Sequence, residues 1–322
     1  MAKTIDFSNF HTDLMRTIDG DGAIIQDRVM FGAERLGSDF TLLLTRDRAP
    51  LVRMSVKDAW RPAGDNFDPK AALEVKTRFA SFKEADIDLE FKYSDIKEAY
   101  QTYLGWLKTP GLSLNDVNKN PFELFFLGYI LAKHFEFLRL NTAFKGVYNA
   151  AGSGAGSLAD GFIAKFATGR GVGGDIAASH VFTAAAITAS NAYAQVNGVA
   201  DLVAATDQKL LNENLNVYTS RTVYDKYRQN RRTLFPNHVG PADRPTTLDD
   251  YSNMTFVNEP GLAGKDTIVI TPKQNLLFVC NEDINMFSIN IVKQIKSWQL
   301  TVRVSLDFDY ATPDWIYLND KV

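Results

Sequence analysis

A single cysteine, Cys280, stands in this 322-residue chain, which excludes an intrachain disulfide framework. It lies in the apolar run Leu276-Leu277-Phe278-Val279-Cys280, where the expected role is a small buried hydrophobe rather than a reactive thiolate. Synthesis in a reducing, intracellular setting follows. No run of about 18 apolar residues occurs. The most apolar stretch, 122–140, is broken by Glu123, Lys133, His134, Glu136 and Arg139, so neither a transmembrane helix nor membrane association is expected. The N-terminal residues lack a basic segment leading into an apolar one, so no secretory signal is read there. Neither sign of charge dominates: 35 Lys and Arg against 38 Asp and Glu leave a net charge of −3. That balance argues against a free nucleic-acid binder, but not against a container whose inner wall meets nucleic acid locally. Histidine is scarce. His11, His134, His180 and His238 are scattered, none with a partner at metal-ligand spacing, so no metal and no histidine-based catalysis is expected.

The motifs of catalysis are missing too. There is no G-x-S-x-G elbow and no P-loop lysine: Gly264-Lys265-Asp266 lacks both the upstream glycine and the hydroxyl residue. Gly169-Arg170-Gly171-Val172-Gly173-Gly174 spells G-x-G-x-x-G. A dinucleotide cradle needs a buried strand before it and a helix opening within it. Here Phe162 to Thr168 reads as a helix and residues 175–180 offer none, so a loop is the expectation and no cofactor is assigned. The carboxylates of Asp86/Asp88/Glu90 and of Asp307/Asp309 alternate with apolar residues, which a solvated sheet face explains without catalysis.

What is present suits a globular protein of one large or two smaller domains, with 45% hydrophobic and 23% charged residues. Residues 1–35 are weakly periodic and read as an N-terminal arm. Residues 38–68 look like a long β-hairpin, with Thr41–Thr45 and Leu51–Val56 as its strands around Arg46-Asp47-Arg48-Ala49-Pro50. Two strands follow in 73–93. In the second, Ile87, Leu89, Phe91 and Tyr93 alternate with acids and lysine. A short helix runs to about Leu107 and stops at Thr109-Pro110-Gly111. A long helix spans Phe122 to about Tyr148, with Asn120 as N-cap, Pro121 at its first position and Glu123 placed for a capping box. It is apolar on most sides and so must be covered on several. Small residues fill 150–174. Helices are read from Thr188-Ala189-Ser190-Asn191 to about Ala205 and from Ser220 to about Arg232, with a strand at Asn216–Thr219. Residues 233–263, bearing Pro236, Pro241, Pro245 and Pro260, read as a long loop. Strands at Thr267–Ile270 and Leu276–Cys280 flank a turn. Gln299–Tyr310 is the clearest strand, about twice the ordinary length.

An isolated two-stranded ribbon is marginal in water, so the hairpin must lie on its own domain or on a neighbour. Leu42, Leu44, Leu51, Val52 and Met54 on the ribbon are therefore candidate intersubunit contacts. Trp60, near its end, is a candidate aromatic anchor. On that reading, deletion of 40–60 leaves a foldable core. Arg228, Arg231 and Arg232 are candidates for facing DNA phosphates or acids of a neighbour, with a solvated helix end as the equal alternative.

This order of parts (arm, extended hairpin, two-stranded sheet, long spine helix, glycine-rich passage, compact α/β region, closing long strand) resembles that of the major capsid proteins of tailed bacteriophages. Theirs is the Hong-Kong-97 fold, which encapsulins share. Residues 187–202, running from Ile187 through Asn191 and Tyr193 to Leu202, are similar to the axial-domain helix of short phage capsid proteins. Val217-Tyr218-Thr219-Ser220 with Tyr224, Tyr227 and Arg228 looks like the strand and helix that succeed it. Pro260 to Gly264 and Thr271 to Leu276 resemble their return segment. The resemblance covers about 36–322 and implies an α+β, Hong-Kong-97-like phage capsid fold. Its parts would be an N-terminal arm (1–35), an extended loop (36–68), a peripheral domain (69–165 with 281–322) and an axial domain (166–280). It implies a structural, non-enzymatic shell protein without cofactor, forming hexamers and pentamers of an icosahedral lattice. Its partners would be portal and scaffolding proteins and packaged double-stranded DNA, held without sequence specificity. It would be made in the host bacterial cytoplasm and end in the virion capsid. The short N-terminal segment suggests a separate scaffold or none. An encapsulin-like compartment and an α/β nucleotide-binding enzyme are the alternatives.

Overall fold

The computed structural model describes residues 10, 12–18, 36–46, 48–56, 73–107, 121–236, 243–281 and 287–322. In chain order the first part comprises helix α1 (12–18), α2 (Leu36–Asp39), strands β1 (Thr41–Thr45), β2 (Arg48–Val56), β3 (Leu73–Ser81) and β4 (Lys83–Lys92), and helices α3 (Tyr93–Trp106) and α4 (Phe122–Leu138). Then come α5 (Phe162–Gly169), β5 (Val181–Phe182), α6 (Ala192–Thr206), β6 (Leu215–Thr219) and α7 (Arg221–Leu234). The chain closes with β7 (Met254–Asn258), β8 (Ile268–Thr271), β9 (Leu276–Asn281), β10 (Phe287–Lys293), β11 (Ser297–Tyr310) and β12 (Tyr317–Asn319).

The strands form two five-stranded sheets and a two-stranded ribbon. In the first sheet β11 pairs antiparallel with β4 through Ser297–Leu306 and with β10 through Trp298–Val304. Its last residues, Leu306–Tyr310, pair with β9, and β9 pairs in parallel with β1. Leu300, Val302, Val304, Leu306 and Phe308 thus face one side, where α4 lays Leu127, Leu131 and Phe135 against them in one apolar cluster. The second sheet runs β5-β12-β8-β6-β7 and carries α6 and α7, with a core of its own around Val196, Val199, Val203, Val217, Val223 and Tyr227. Ser220 caps α7 as its sequence position indicates, its Oγ accepting from the Val223 amide at 3.3 Å.

Three expectations are corrected. The hairpin of 41–45 with 51–56 does not form. β1 is a core strand beside β9, and β2 pairs instead with β3, from Arg48↔Ser81 to Val56↔Leu73. The longer apolar run of β9 offers β1 a buried parallel partner, and β3 offers β2 nine residues of register. The spine helix does not reach Tyr148. After a π-helical turn at Arg139–Ala143 the chain folds back, with the Val147 amide donating to Gly156 O and the Gly161 amide to Gly146 O. Gly161 makes the crossing possible: a Cβ there would sit 2.3 Å from Thr142 O. Within the proline-rich 233–263, Met254–Asn258 forms a strand parallel to β6. The two strands expected on either side of the turn at 272–275 form as β8 and β9, and they belong to different sheets, β8 to the second and β9 to the first. The turn between them carries the chain across. Asn275, wholly buried, holds it by donating to Thr271 Oγ1 at 3.0 Å and to Thr312 O at 2.9 Å, while the Thr312 amide donates to Asn275 Oδ1 at 2.7 Å. The N-cap expected at Asn120 and the stop at Thr109-Pro110-Gly111 lie outside the described residues, as does most of the N-terminal arm.

Candidate assembly surface

In the β2–β3 ribbon, directly opposed residues share a face. Met54 opposes Val75, Pro50 opposes Phe79 and Val52 opposes Thr77. That face is bare: Val52 and Val75 are each 53% exposed, Phe79 57% and Met54 65%. A strand normally buries its apolar side and wets its polar one. Here the pattern is inverted, because the other face, with Leu51, Arg53 and Arg78, is turned to the body of the same chain.

Beneath the ribbon, charge does the holding. The Arg53 guanidinium pairs with Asp314 at 2.5 Å. Arg78 reaches Asp309 at 3.1 Å and Asp175 at 3.7 Å, donates to Tyr310 O, and lies 3.8 Å from the centre of the Tyr310 ring. Tyr310 Oη in turn donates to Asp175 at 2.6 Å. Two residues before Asp309 on β11, Asp307 accepts from Lys165 of α5 at 3.0 Å. A small apolar seam of Ala49, Ala80, Leu277 and Val279 completes the attachment. An open hollow of about 600 Å³ remains between ribbon and body. The solvated face expected for Asp307 and Asp309 is therefore a correction: each residue is only 3% exposed. The first half of β11 has one wet face, but the ribbon and α5 cover the second face of its last residues. Burial pushes the Asp307 carboxyl up to about 6 despite Lys165, and raises Asp309 as well despite Arg78.

A second buried pair sits where the spine helix ends. Arg139, in the π turn, donates to Glu259 at 2.8 Å and to Asp39 at 2.7 Å. Its guanidinium lies 5.5 Å from the Phe40 ring centre. Glu259 is 1% exposed, and burial raises its carboxyl against the pull of Arg139. One side chain thus ties α4 to α2 and to the turn that follows β7.

Of the contact candidates read from sequence, Val52 and Met54 lie on the bare face. Leu44 is 47% exposed on β1, whereas Leu42 and Leu51 pack against the chain's own interior. Trp60 lies outside the described residues. Val75 and Phe79 complete the face. Their alternation with Lys76 and Arg78 is legible in the sequence, but the strand they oppose is not. The arginines of α7 are engaged within the chain: Arg228 with Asp243 O at 3.0 Å and Asp225 at 3.5 Å, Arg231 with Asp249 at 2.7 Å and with Asp243. Arg232 is half-buried, and its Nε has no partner among the described residues.

The remaining chemistry is sparse. The glycine-rich 169–174 follows α5 directly and leads to a single 3-10 turn at Ala178–His180, so the strand-loop-helix of a dinucleotide cradle does not form. Cys280 is fully buried in β9, and burial pushes its thiol up. Burial lowers His134 and His180. Among the described residues no cluster of metal-binding side chains occurs, and no helix is long and apolar enough to cross a membrane.

No family model matches the sequence, and no curated protein does. Solved structures do match the fold over nearly its whole length. A chain of the satellite phage P4 procapsid with its size determination (Sid) protein aligns with a TM-score of 0.54 at 14% identity, covering 94% of this chain and 98% of that one. The capsid of cyanophage A-1(L) gives 0.52 at 12% identity, covering 88% and 90%. The capsid of the Myoviridae phage XM1 gives 0.50 at 10% identity, covering 90% and 91%. These likenesses show an α+β fold of the Hong-Kong-97 capsid type.

Proposed function

We propose that this chain is the major capsid protein of a tailed bacteriophage, a structural subunit that closes an icosahedral head shell around double-stranded DNA. The observation that carries the reading is the bare apolar face of Val52, Met54, Val75 and Phe79 on a ribbon whose other face is already anchored. Covering such side chains contributes about 1.5–3 kcal/mol each when burial is complete. A neighbouring copy is the natural cover, and many modest contacts per subunit add up to a stable closed lattice. Obligate interfaces of this kind bury on the order of 2,000–5,000 Å².

On this reading the parts are an N-terminal arm (1–35), an extended loop, a peripheral domain (69–165 with 281–322) and an axial domain (166–280). Strand pairing asks for two adjustments. The loop's second strand is β3, and β9 and β12 each join the sheet of the other half. Hexamers and pentamers, portal and scaffolding partners, location in the virion and synthesis in the host cytoplasm belong to the same proposal. The internal pairing of Arg228 and Arg231 favours a structural role for α7 over phosphate contact. Negative-stain microscopy of the overexpressed chain tests the whole. Shells, sheets or tubes are expected; a monodisperse monomer at high concentration would overturn it.

A further inference from the structure

In the first sheet β11 lies between β4 and β10, and β4 pairs with no other strand among the described residues. One edge of this ten-residue strand is therefore open there, a row of amides and carbonyls that another strand can extend. A hollow of about 270 Å³ runs along the strand. Five consecutive residues of β4, Ala85 to Leu89, line it, with His134 and Phe137 of α4 and Leu158 opposite. Asp86 and Asp88 belong to the face turned away from the core, so the hollow reaches past the inward side chains to the backbone edge. Because β11 closes the other edge, the mouth is at the open one. Ile87 and Leu89 are half-buried beside it, and Phe137 is 49% exposed.

A strand laid on this edge has two faces, and they meet different chemistry. One meets the apolar hollow. The other meets Glu84, Asp86, Asp88 and Glu90, which form an exposed acidic row on β4. Arg303 takes up Asp86 at 2.8 Å and reaches Glu84 at 4.0 Å. No ion pair engages Asp88 or Glu90 among the described residues, although Glu90 accepts from Ser297 Oγ at 2.7 Å. Antiparallel pairing of β4 with the β4 of a second copy would set this acidic row beside itself, which is unfavourable. We infer that the open edge of β4 takes up an extended segment of a partner protein in which Lys or Arg alternates with aliphatic or aromatic residues. Its backbone continues the sheet, its apolar side chains enter the hollow, and its cations face Asp88 and Glu90.

The test uses the full chain and a fluorescein-labelled octapeptide of alternating lysine and valine, followed by anisotropy. Two controls isolate the strand geometry: a peptide of the same composition with its lysines and valines in separate blocks, and the alternating peptide N-methylated at every second residue. The alternating peptide is expected to bind at least about tenfold more tightly than the block peptide. N-methylation on one edge should abolish binding, because it removes the donors that would face β4, and methylation on the other edge should spare it. The double variant D88N/E90Q should weaken binding by about fivefold with the thermal midpoint unchanged, since both side chains are exposed. Equal binding of the block peptide, tolerance of N-methylation on either edge, or no effect of D88N/E90Q would overturn the proposal. So would a D88N/E90Q chain that no longer forms shells while the parent ignores the peptide, since a second copy would then occupy the edge. Shell formation by the parent chain is read separately under the microscope and does not depend on the peptide.

Discussion

Arg78 Nη2 lies 3.1 Å from Asp309 Oδ1, a contact between the ribbon and a carboxylate that is 4% exposed. The pair joins an element with almost no interior of its own to the longest strand among the described residues. Removing Arg78 leaves Asp309 buried without its ion-pair partner, with the Tyr310 amide still donating to it at 2.8 Å. Arg78→Ala is expected to destabilise the unassembled subunit by about 3 kcal/mol, read by urea denaturation. Arg78→Lys should recover only part, since lysine offers neither the fork for Asp309 and Tyr310 O nor the flat face over the Tyr310 ring. A fully rescued lysine variant would show that simple charge, not geometry, holds the ribbon.

Asp307 gives a pH dependence with a definite sign. Its folded-state carboxyl is pushed up to about 6 by burial, above its value in the unfolded chain. The folded state therefore holds the extra proton between about pH 4 and pH 6, and this group's contribution to stability falls as pH rises through that window. Asp309 moves in the same direction for the same reason. The melting temperature of Asp307→Asn minus that of the parent should accordingly become more positive from pH 4 to pH 7. A flat or falling difference would contradict it.

At the end of the spine helix, Arg139→Met strands Glu259 without a counter-charge. A loss of about 3–5 kcal/mol is expected. Adding Glu259→Gln should restore much of it, because the neutral amide no longer carries a buried charge and its oxygen still accepts from the Gly261 amide, now at 3.2 Å from Glu259 Oε1. Equilibrium denaturation of the single and double variants decides the matter; equal losses in both would show that the arginine acts through packing alone.

Because β1 is a core strand, deleting 40–60 would damage the fold as well as the ribbon. A cleaner truncation replaces 53–76 with Asn-Gly, a two-residue turn suited to joining Val52 to Thr77, which are already paired. Arg78, Ala80 and their contacts remain. The truncated chain should stay folded by circular dichroism yet yield no closed particles under the microscope. Closed particles from it would remove the ribbon from the assembly argument.

The bare face can be altered without shortening the chain. Val52→Ser with Phe79→Ser should leave subunit stability within about 0.5 kcal/mol, as for other exposed positions, and should prevent or weaken assembly. Light scattering under assembling conditions reads the second effect and thermal melting the first.

Local signals carry most of the elements. Ser220 announces α7, the alternation of Ile87, Leu89 and Phe91 announces β4, and Leu300 to Phe308 announce the strand at the centre of the first sheet. Pairing is harder, because it depends on which segments compete for an edge. Leu51–Val56 has the same pattern whether it faces Thr41–Thr45 or β3, and only the buried partnership of β1 with β9 decides. The strand β10 escapes the sequence reading although Ile289 and Ile291 alternate with polar residues. The carboxylates of β11 show the same limit: period two places Asp307 and Asp309 opposite the core, but not whether a ribbon and a helix arrive to cover them. The anchoring network consequently has no local signal at all, since Arg78, Lys165, Asp175 and Asp309 meet only in space.

Asn275 ties two separate passages of chain, one leaving the second sheet at Thr271 and one returning to it past Thr312. Two strands of a rope fastened at one knot resist swivelling far better than one. The halves of the subunit should therefore resist swivelling at this joint, and lending one half to a neighbouring copy would require undoing both of these passages at once. Exchange of halves between subunits is thereby discouraged at this joint.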